Sequence, residues 1–577
     1  MDRRAFMKRT LAGAGTLALG GIAMNKTALG SEKLRKPNIV LFFVDDHTVE
    51  TINKGGLCPN IKSLGETGVT FERAYVPHPW CAASRFAILS GHCLTHNQRK
   101  DYKSDIGPGR GDQISVEGQI WSFGGKITRD EWCMPKLVKL GGYTTFCCGK
   151  LKMAGTGGTK KEKDPWKRQQ LYREAVRAFG WDDSGAVIPG NLKMHKTEKG
   201  YMSTHNPEWR AQVTMDFIDK NKDKPFLCYI ASNLMHAPPP YEQLKNADPR
   251  HACDDIILDK APDVMPPRKS VIERVRKAGL EENERDFAPL LWLDDMVGAV
   301  LGKLDKLGLR DNTMVALIQD NGHHGGKQSA YTGGHDVSPA FISWPAATKN
   351  PGRVYKYPVS SLDLIPTFMA AAGVKKPKDA VLEGTSLLPV IKGQNKPVHT
   401  NTYGEAGHTR WVITRNWHYI AFRVPISKQL TPKEKQERRK VIAEAIKKGD
   451  TEKAELLKSL GDRVTQVAKG VTDTTTGLKT HTRHFLDRDQ LYDLDNDPDE
   501  QNNLAYDPKY KEVLHDMKKL MREECLRRPG TFAEFKTIEE CPQRWQKMVA
   551  EAKKKADAEG IKYGYPEIKD YYAPWKK

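Results

Sequence analysis

The 577-residue chain lacks long apolar runs beyond its first thirty residues, so no later stretch reads as a transmembrane helix. It is short of acid: 72 Asp and Glu stand against 92 Lys and Arg, a formal charge of +20. It contains no internal repeat and no long low-complexity tract, which excludes a solenoid or a fibrous protein. Hydrophobic residues make up 38% and charged residues 28%, a globular rather than disordered balance, and the length can bury a sizeable core. The basic balance attracts polyanions, and both nucleic acid and sulfated polysaccharide qualify. No nucleic-acid recognition motif accompanies the charge. The plainer reading of the charge is solvation plus one basic C-terminal region.

The N-terminus reads as an address. Arg3-Arg4-Ala5-Phe6-Met7-Lys8 precedes a run of Leu, Ala and Gly from Leu11 to Met24, and Ala28-Leu29-Gly30 offers a small-residue cleavage site. The run is too short to span a bilayer comfortably, and the pattern is that of a twin-arginine signal over residues 1–30. A Sec signal or a lipid-held N-terminus is the alternative. Either way the expected location is exported, periplasmic or extracellular. Export permits disulfides among the ten cysteines, and Cys525 with Cys541 could bridge the tail.

Ile39 to Val44 is a continuous apolar run, the mark of a strand buried on both faces. It ends in Asp45-Asp46-His47. The pattern returns at Thr144–Cys148, ending in Gly149-Lys150; at Phe226–Ala231, ending in Asn233-Leu234-Met235-His236; and at Met314–Ile318, ending in Gln319-Asp320-Asn321-Gly322. Helix-like segments such as Leu290–Leu304 lie between. The expectation is an α/β fold: a large doubly wound mixed sheet covered by helices over 31–397, with a site along one sheet edge. A smaller antiparallel sheet subdomain follows over 398–577, with strands near Trp411–Thr414 and His418–Phe422. It carries a charged helical insertion at about 430–462 and a basic helical tail beyond about 510.

Two acids at the end of a buried strand are costly unless paired or metal-bound. Asp45, Asp46, Asp320 and Asn321 offer oxygen ligands from two such ends, which suits Ca²⁺, or with less preference Mg²⁺, and matches zinc poorly. Cys81 opens an apolar helix of about three turns closed by Gly91, so helix N–H groups and the dipole face it as they would an anion. A low-pKa thiol nucleophile is one reading of that Cys, and a buried structural Cys is another.

Cys81-Ala82-Ala83-Ser84-Arg85, followed by Phe86 to Gly91, resembles the signature of the type I, formylglycine-dependent sulfatases of the alkaline phosphatase superfamily. The resemblance runs from about Pro37 to about Leu504. It includes Gly142-Tyr143-Thr144 to Gly149-Lys150, His236-Ala237-Pro238, Lys327 to Gly334, Asp363-Leu364-Ile365-Pro366-Thr367, Gly384 to Pro389, and Leu491-Tyr492-Asp493-Leu494 with Asp497-Pro498. It implies a sulfuric ester hydrolase in which a maturation enzyme, formylglycine-generating or anaerobic, oxidises Cys81 to 3-oxoalanine (formylglycine). One hydroxyl of the hydrated aldehyde then attacks sulfur and the other later expels sulfate. It implies Cys81, Arg85, Lys150, His236 and Lys327 as catalytic residues, and calcium held by Asp45, Asp46, Cys81, Asp320 and Asn321.

The chain departs from the family pattern in two places. Thr332 stands where Glu is usual, and Lys152 and Met153 stand where a His is usual. The base for the hydrate stays open among Lys152, His324 and His47. A sulfated carbohydrate is the expected substrate, with His78, Trp80, His323 and His335 flanking the motifs as candidate sugar contacts. The rival readings are a phosphodiesterase or phosphonate monoester hydrolase of the same superfamily and a non-catalytic binder of sulfated glycans.

Overall fold

Strand β1 (Asn38–Val44) is buried at every position. Its side chains alternate between two separate cores: Ile39, Leu41 and Phe43 enter one, Val40, Phe42 and Val44 the other. A strand apolar on both sides needs a layer on each face. The computed structural model describes residues 35–45, 56–96, 113–114, 120–121, 127–151, 162–192, 195–197, 200–202, 204–322, 329–426, 432–459, 484, 487–560 and 562–565. The signal-like segment over 1–30 lies outside the described residues.

Eight strands form the main sheet: β1, β2 (Val69–Phe71), β3 (Thr144–Lys150), β4 (Asp183–Ile188), β5 (Phe226–Ala231), β6 (Thr313–Gln319), β7 (Ala340–Ser343) and β8 (Arg353–Tyr355). The order across it is β8-β2-β7-β6-β1-β5-β3-β4. The five strands from β6 to β4 are mutually parallel, and β7 is antiparallel to both of its neighbours. The sheet is therefore mixed, and the C-terminal ends of β6, β1, β5 and β3 share one edge.

Helices cover both faces. Helix α1 (Cys81–Ser90) is buried almost all round and packs into the core of Ile39, Leu41 and Phe43. On the opposite face lie α2 (Pro207–Asn221) and α3 (Glu284–Lys306). The apolar stretch expected as a helix at Leu290–Leu304 is the central part of α3.

A four-stranded antiparallel sheet follows: β9 (Thr402–Ala406), β10 (Thr409–Ile413), β11 (Trp417–Phe422) and β12 (Asp489–Asp493). Its Trp411, Ile413, Ile420 and Tyr492 share the core that holds α1. The charged segment between β11 and β12 contains helices Pro432–Lys447 and Thr451–Ser459. The tail contains helices Lys511–Leu526 and Gln543–Ala558.

The cysteines correct one expectation. All ten are buried thiols, and no Cys525–Cys541 bridge forms. Cys541 Sγ donates to the Thr537 carbonyl at 3.4 Å.

Candidate functional site

Asp45, Lys150, His236, Asp320 and Asn321 fall where the parallel strands end. Asp45 follows β1, Lys150 is the last residue of β3, His236 follows β5, and Asp320-Asn321 follows β6. Helix α1 brings Cys81 to the same edge as its first residue, after Trp80 in an extended conformation. Gly91 closes α1 in the left-handed conformation (φ 81°), so the helix ends where a side chain would be strained. An Asp45 carboxylate oxygen, Cys81 Sγ and a His236 ring nitrogen lie within 4.8 Å of one another. The loop bearing His236 turns at Met235, whose φ of 76° is unusual for a side chain of that size. His236 Nδ1 faces the Ala237 carbonyl at 2.8 Å, so as a neutral ring it donates there and keeps its lone pair on Nε2.

Arg85 and Lys150 tie the strand ends together. Arg85 Nη2 donates to Asp320 Oδ2 at 2.8 Å and lies 3.4 Å from Asp45 Oδ2. Its Nη1 donates to the Lys150 carbonyl at 2.8 Å. Lys150 Nζ donates to Asp45 Oδ2. All four side chains are fully buried. Burial alone would raise Asp45; Lys150 and Arg85, and then His236, hold it well below the usual carboxylate range. Burial likewise works against Arg85, and the charges of Asp320 and Asp45 outweigh it. Lys150 is raised for the same reason, with Asp45 the main partner. Both cations therefore stay charged, and Asp45 stays ionised to well below neutral pH.

The donor set fits a hard divalent cation. Asp45 Oδ1 and Asn321 Oδ1 are buried acceptors with no hydrogen-bond partner among the described residues. Buried acceptors left this way call for an explanation, and a bound ion is one. Asp320 Oδ1 accepts from Asn321 Nδ2 at 2.6 Å, which turns the Asn321 oxygen the other way. Oxygen atoms from a carboxylate and an amide suit calcium or magnesium chemistry. Asp46, Lys327 and His323, together with His47, Lys152 and His324, lie outside the described residues.

Two expected sugar contacts do not face an open cleft. His78 is buried at 1% exposure. Its Nδ1 donates to the Glu405 carbonyl at 3.0 Å and its Nε2 accepts from the Leu94 N–H at 3.1 Å, so both ring nitrogens are used inside the protein. It joins the segment before Cys81 to β9. His335 is also wholly buried, stacked on Trp411 with ring centroids 4.8 Å apart, and its Nε2 bonds the Ala330 carbonyl. Trp80 is buried at 7% exposure beside Cys81.

Sequence reasoning passed over Arg210, on α2. It is buried, and its Nη2 donates to Asn233 Oδ1, three residues before His236. Gly149 makes room for it: a Cβ there would lie 1.9 Å from the Ala231 carbonyl oxygen and 3.3 Å from Arg210 Nε. The signal available was the Asn206-Pro207 helix start, which places Arg210 in the first turn of a helix whose N-terminus meets this edge.

Comparison with known proteins gives the same frame. The family model described as Sulfatase matches residues 37–374. N-acetylglucosamine-6-sulfatase of Homo sapiens is 27% identical over 404 residues, 65% of this chain and 68% of the relative. N-acetylgalactosamine-6-sulfatase of Mus musculus is 25% identical over 427 residues, 66% of this chain and 73% of the relative. In fold, the chain is similar to the crystal structure of Ps i-CgsB in complex with k-i-k-neocarrahexaose, with a TM-score of 0.55 and 19% identity, covering 85% of this chain and 93% of that one. With its family model matched across most of the α/β part, and its helix-borne Cys81 beside the buried carboxylates, the chain belongs to the sulfatase family of sulfuric ester hydrolases.

Proposed function

We propose that the protein hydrolyses sulfate monoesters of a carbohydrate, with Cys81 as the precursor of a formylglycine nucleophile. The observation that carries this reading is the meeting of Cys81, Asp45 and His236 within 4.8 Å at the start of a buried helix. The glycan part rests on the relatives, whose names specify N-acetylglucosamine-6-sulfate and N-acetylgalactosamine-6-sulfate chemistry. The basic charge of the chain suits a polyanionic substrate.

Each residue has a role that follows from its position. Arg85 and Lys150 present fixed positive charge where a sulfate group would meet Cys81, and charge developing on the sulfate oxygens is stabilised by groups already in place. The α1 N-terminus adds its N–H groups on the same side. His236 Nε2 would hold or deliver the proton for the leaving oxygen. Lys327 is assigned to the same anion site from its sequence motif. Asp45, Asp46, Asp320 and Asn321 would hold a calcium ion, whose chemistry there is to neutralise sulfate oxygens and to lower the pKa of a bound hydroxyl. A maturation enzyme acting on Cys81, and export directed by residues 1–30, complete the reading. No helix among the described residues is long and apolar enough to cross a membrane.

The test is turnover. Protein matured in its native host should release sulfate from 6-O-sulfated N-acetylhexosamines and leave matched phosphate mono- and diesters largely untouched. Preferential cleavage of a phosphodiester or phosphonate monoester would overturn the assignment.

A further inference from the structure

Six arginines are buried to below 10% exposure among the described residues: Arg85, Arg210, Arg268, Arg410, Arg423 and Arg528. Five have a carboxylate within 4.0 Å. Arg85 has Asp45 and Asp320, Arg268 has Glu208, Arg410 has Glu405, Arg423 has Asp489 and Glu534, and Arg528 has Glu383 and Glu524. Arg210 has none. Its bonded partner is the neutral Asn233 amide, and its Nε and Nη1 are buried with no hydrogen-bond partner among the described residues.

That arrangement is expensive. A guanidinium stays protonated at any accessible pH, so it cannot escape burial by losing its proton. A buried charge without a counter-charge costs several kcal/mol. Arginines kept in the core for structure alone are paired, as Arg268, Arg410, Arg423 and Arg528 are. A strained or uncompensated group at a site edge points to function.

Its position says which function. Arg210 lies in the first turn of α2, whose N-cap Asn206 accepts from the Trp209 N–H at 2.9 Å while its Nδ2 donates to the carbonyls of Pro249 and His251. The base of the side chain is therefore fixed. Its tip reaches the sheet edge between Gly149, next to Lys150, and Asn233, which begins the loop to His236. The buried His205 ring supports the same loop through Nε2, which donates to the Pro238 carbonyl at 2.9 Å. Arg85 comes to this edge from the opposite face of the sheet, and the two guanidinium charges repel.

We propose that Arg210 is a positioning residue for the sulfate site. Through Asn233 it holds the loop that bears His236, and its charge, with no carboxylate of the described residues within 4.0 Å and one layer behind Lys150, adds to the attraction the site exerts on a sulfate group. A neighbouring carboxylate would stabilise Arg210 but would cancel that field. This inference rests on the sulfatase reading and adds a residue for which the family resemblance gave no role.

The experiment compares Arg210→Gln and Arg210→Lys with the matured wild-type protein in three measurements: inhibition by inorganic sulfate, kcat and KM on a sulfated N-acetylhexosamine, and Tm. Arg210→Gln should weaken sulfate inhibition about tenfold and lower kcat/KM by about 10–100-fold, while its Tm stays level or rises because the unpaired charge is gone. Arg210→Lys keeps the charge and should restore at least half of the lost sulfate affinity on a logarithmic scale. The proposal is overturned if Arg210→Gln matches wild type in sulfate inhibition and turnover. It is equally overturned if Tm drops while sulfate inhibition is unchanged, since that marks a structural residue. A wild-type protein that turns over phosphate esters and ignores sulfate would sink the sulfatase reading instead, and this inference with it.

Discussion

Arg85 and Asp320, 235 positions apart in the chain, meet through an Nη2–Oδ2 bond of 2.8 Å with both side chains fully buried. The pair joins the helix that starts at Cys81 to the strand that ends in the expected metal ligands. Removing one partner of such a pair leaves a buried charge uncompensated, at about 3–5 kcal/mol. Arg85→Ala should therefore lower stability by that amount as well as abolish turnover. Arg85→Lys keeps the charge but cannot serve both Asp320 and the Lys150 carbonyl. We expect it to fold and to lose about 10²–10³-fold in kcat, the scale of losing one fixed donor to developing charge. Full activity in Arg85→Lys would show that the two-pronged contact is unimportant.

Metal content should separate Asn321 from Asp320. Asn321 Oδ1 has no hydrogen-bond partner among the described residues, so Asn321→Ala removes an acceptor without breaking an ion pair. It should keep a near-native Tm in excess calcium and bind calcium at least about tenfold more weakly, as changes close to a metal commonly do. Asp320→Ala should lose both metal and activity and also leave Arg85 with Asp45 as its one remaining carboxylate among the described residues. Stoichiometric calcium in dialysed Asp320→Ala protein would refute the ligand assignment.

His78 belongs to the support of the site. Both its ring nitrogens are bonded to main chain, one of them across to β9. His78→Ala leaves a cavity and removes both ring hydrogen bonds, and should cost about 2–4 kcal/mol of stability. KM for a sulfated sugar should change little in the folded fraction. A large rise in KM with unchanged Tm would restore His78 as a sugar contact.

Acid stability should report on two buried histidines. His335 is held down to about 3, by burial first and then by the neighbouring His418. His205 is held down to about 4, by burial first and then by the Arg210 charge against a hydrogen bond to Pro238. Both are neutral when folded and bind a proton below the ordinary value of 6.5 when unfolded. The unfolded state therefore holds more protons through this window, and stability falls as pH drops from 6.5 toward 3. For His335 the loss by pH 4 is about 3 kcal/mol. Asp294, raised to about 6 mainly by burial, works the other way, so the histidine effect is read as a difference. His335→Phe can keep the stack on Trp411 and should lose less stability than wild type between pH 6.5 and 4. Parallel curves for the two proteins would contradict this.

The strand ends were legible because each is a continuous apolar run stopped by polar residues. Val44 gives way to Asp45, Ala231 to the loop ending in His236, and Gln319 to Asp320, and no packing detail is needed to see that. What surrounds a side chain is another matter. His78 and His335 stand beside the motifs in sequence, yet partners from elsewhere decide their roles: the Glu405 carbonyl on β9 for one, Trp411 on β10 for the other. Arg210 was hidden differently. Within a helical pattern a lone arginine reads as surface, and only the close approach of Gly149 to the Ala231 carbonyl shows that the sheet edge admits it. The proposed tail bridge failed because Cys541 spends its thiol on a local carbonyl and Cys525 is enclosed by its own helix and its neighbours.

The chemistry proposed for Cys81 is tested most directly by the mass of the tryptic peptide from Ala74 to Arg85, taken from protein made in its native host. We expect a peptide lighter than the cysteine form and reactive with a hydrazine probe, the mark of an aldehyde at position 81. An unmodified thiol in active, metal-loaded protein would contradict the formylglycine mechanism.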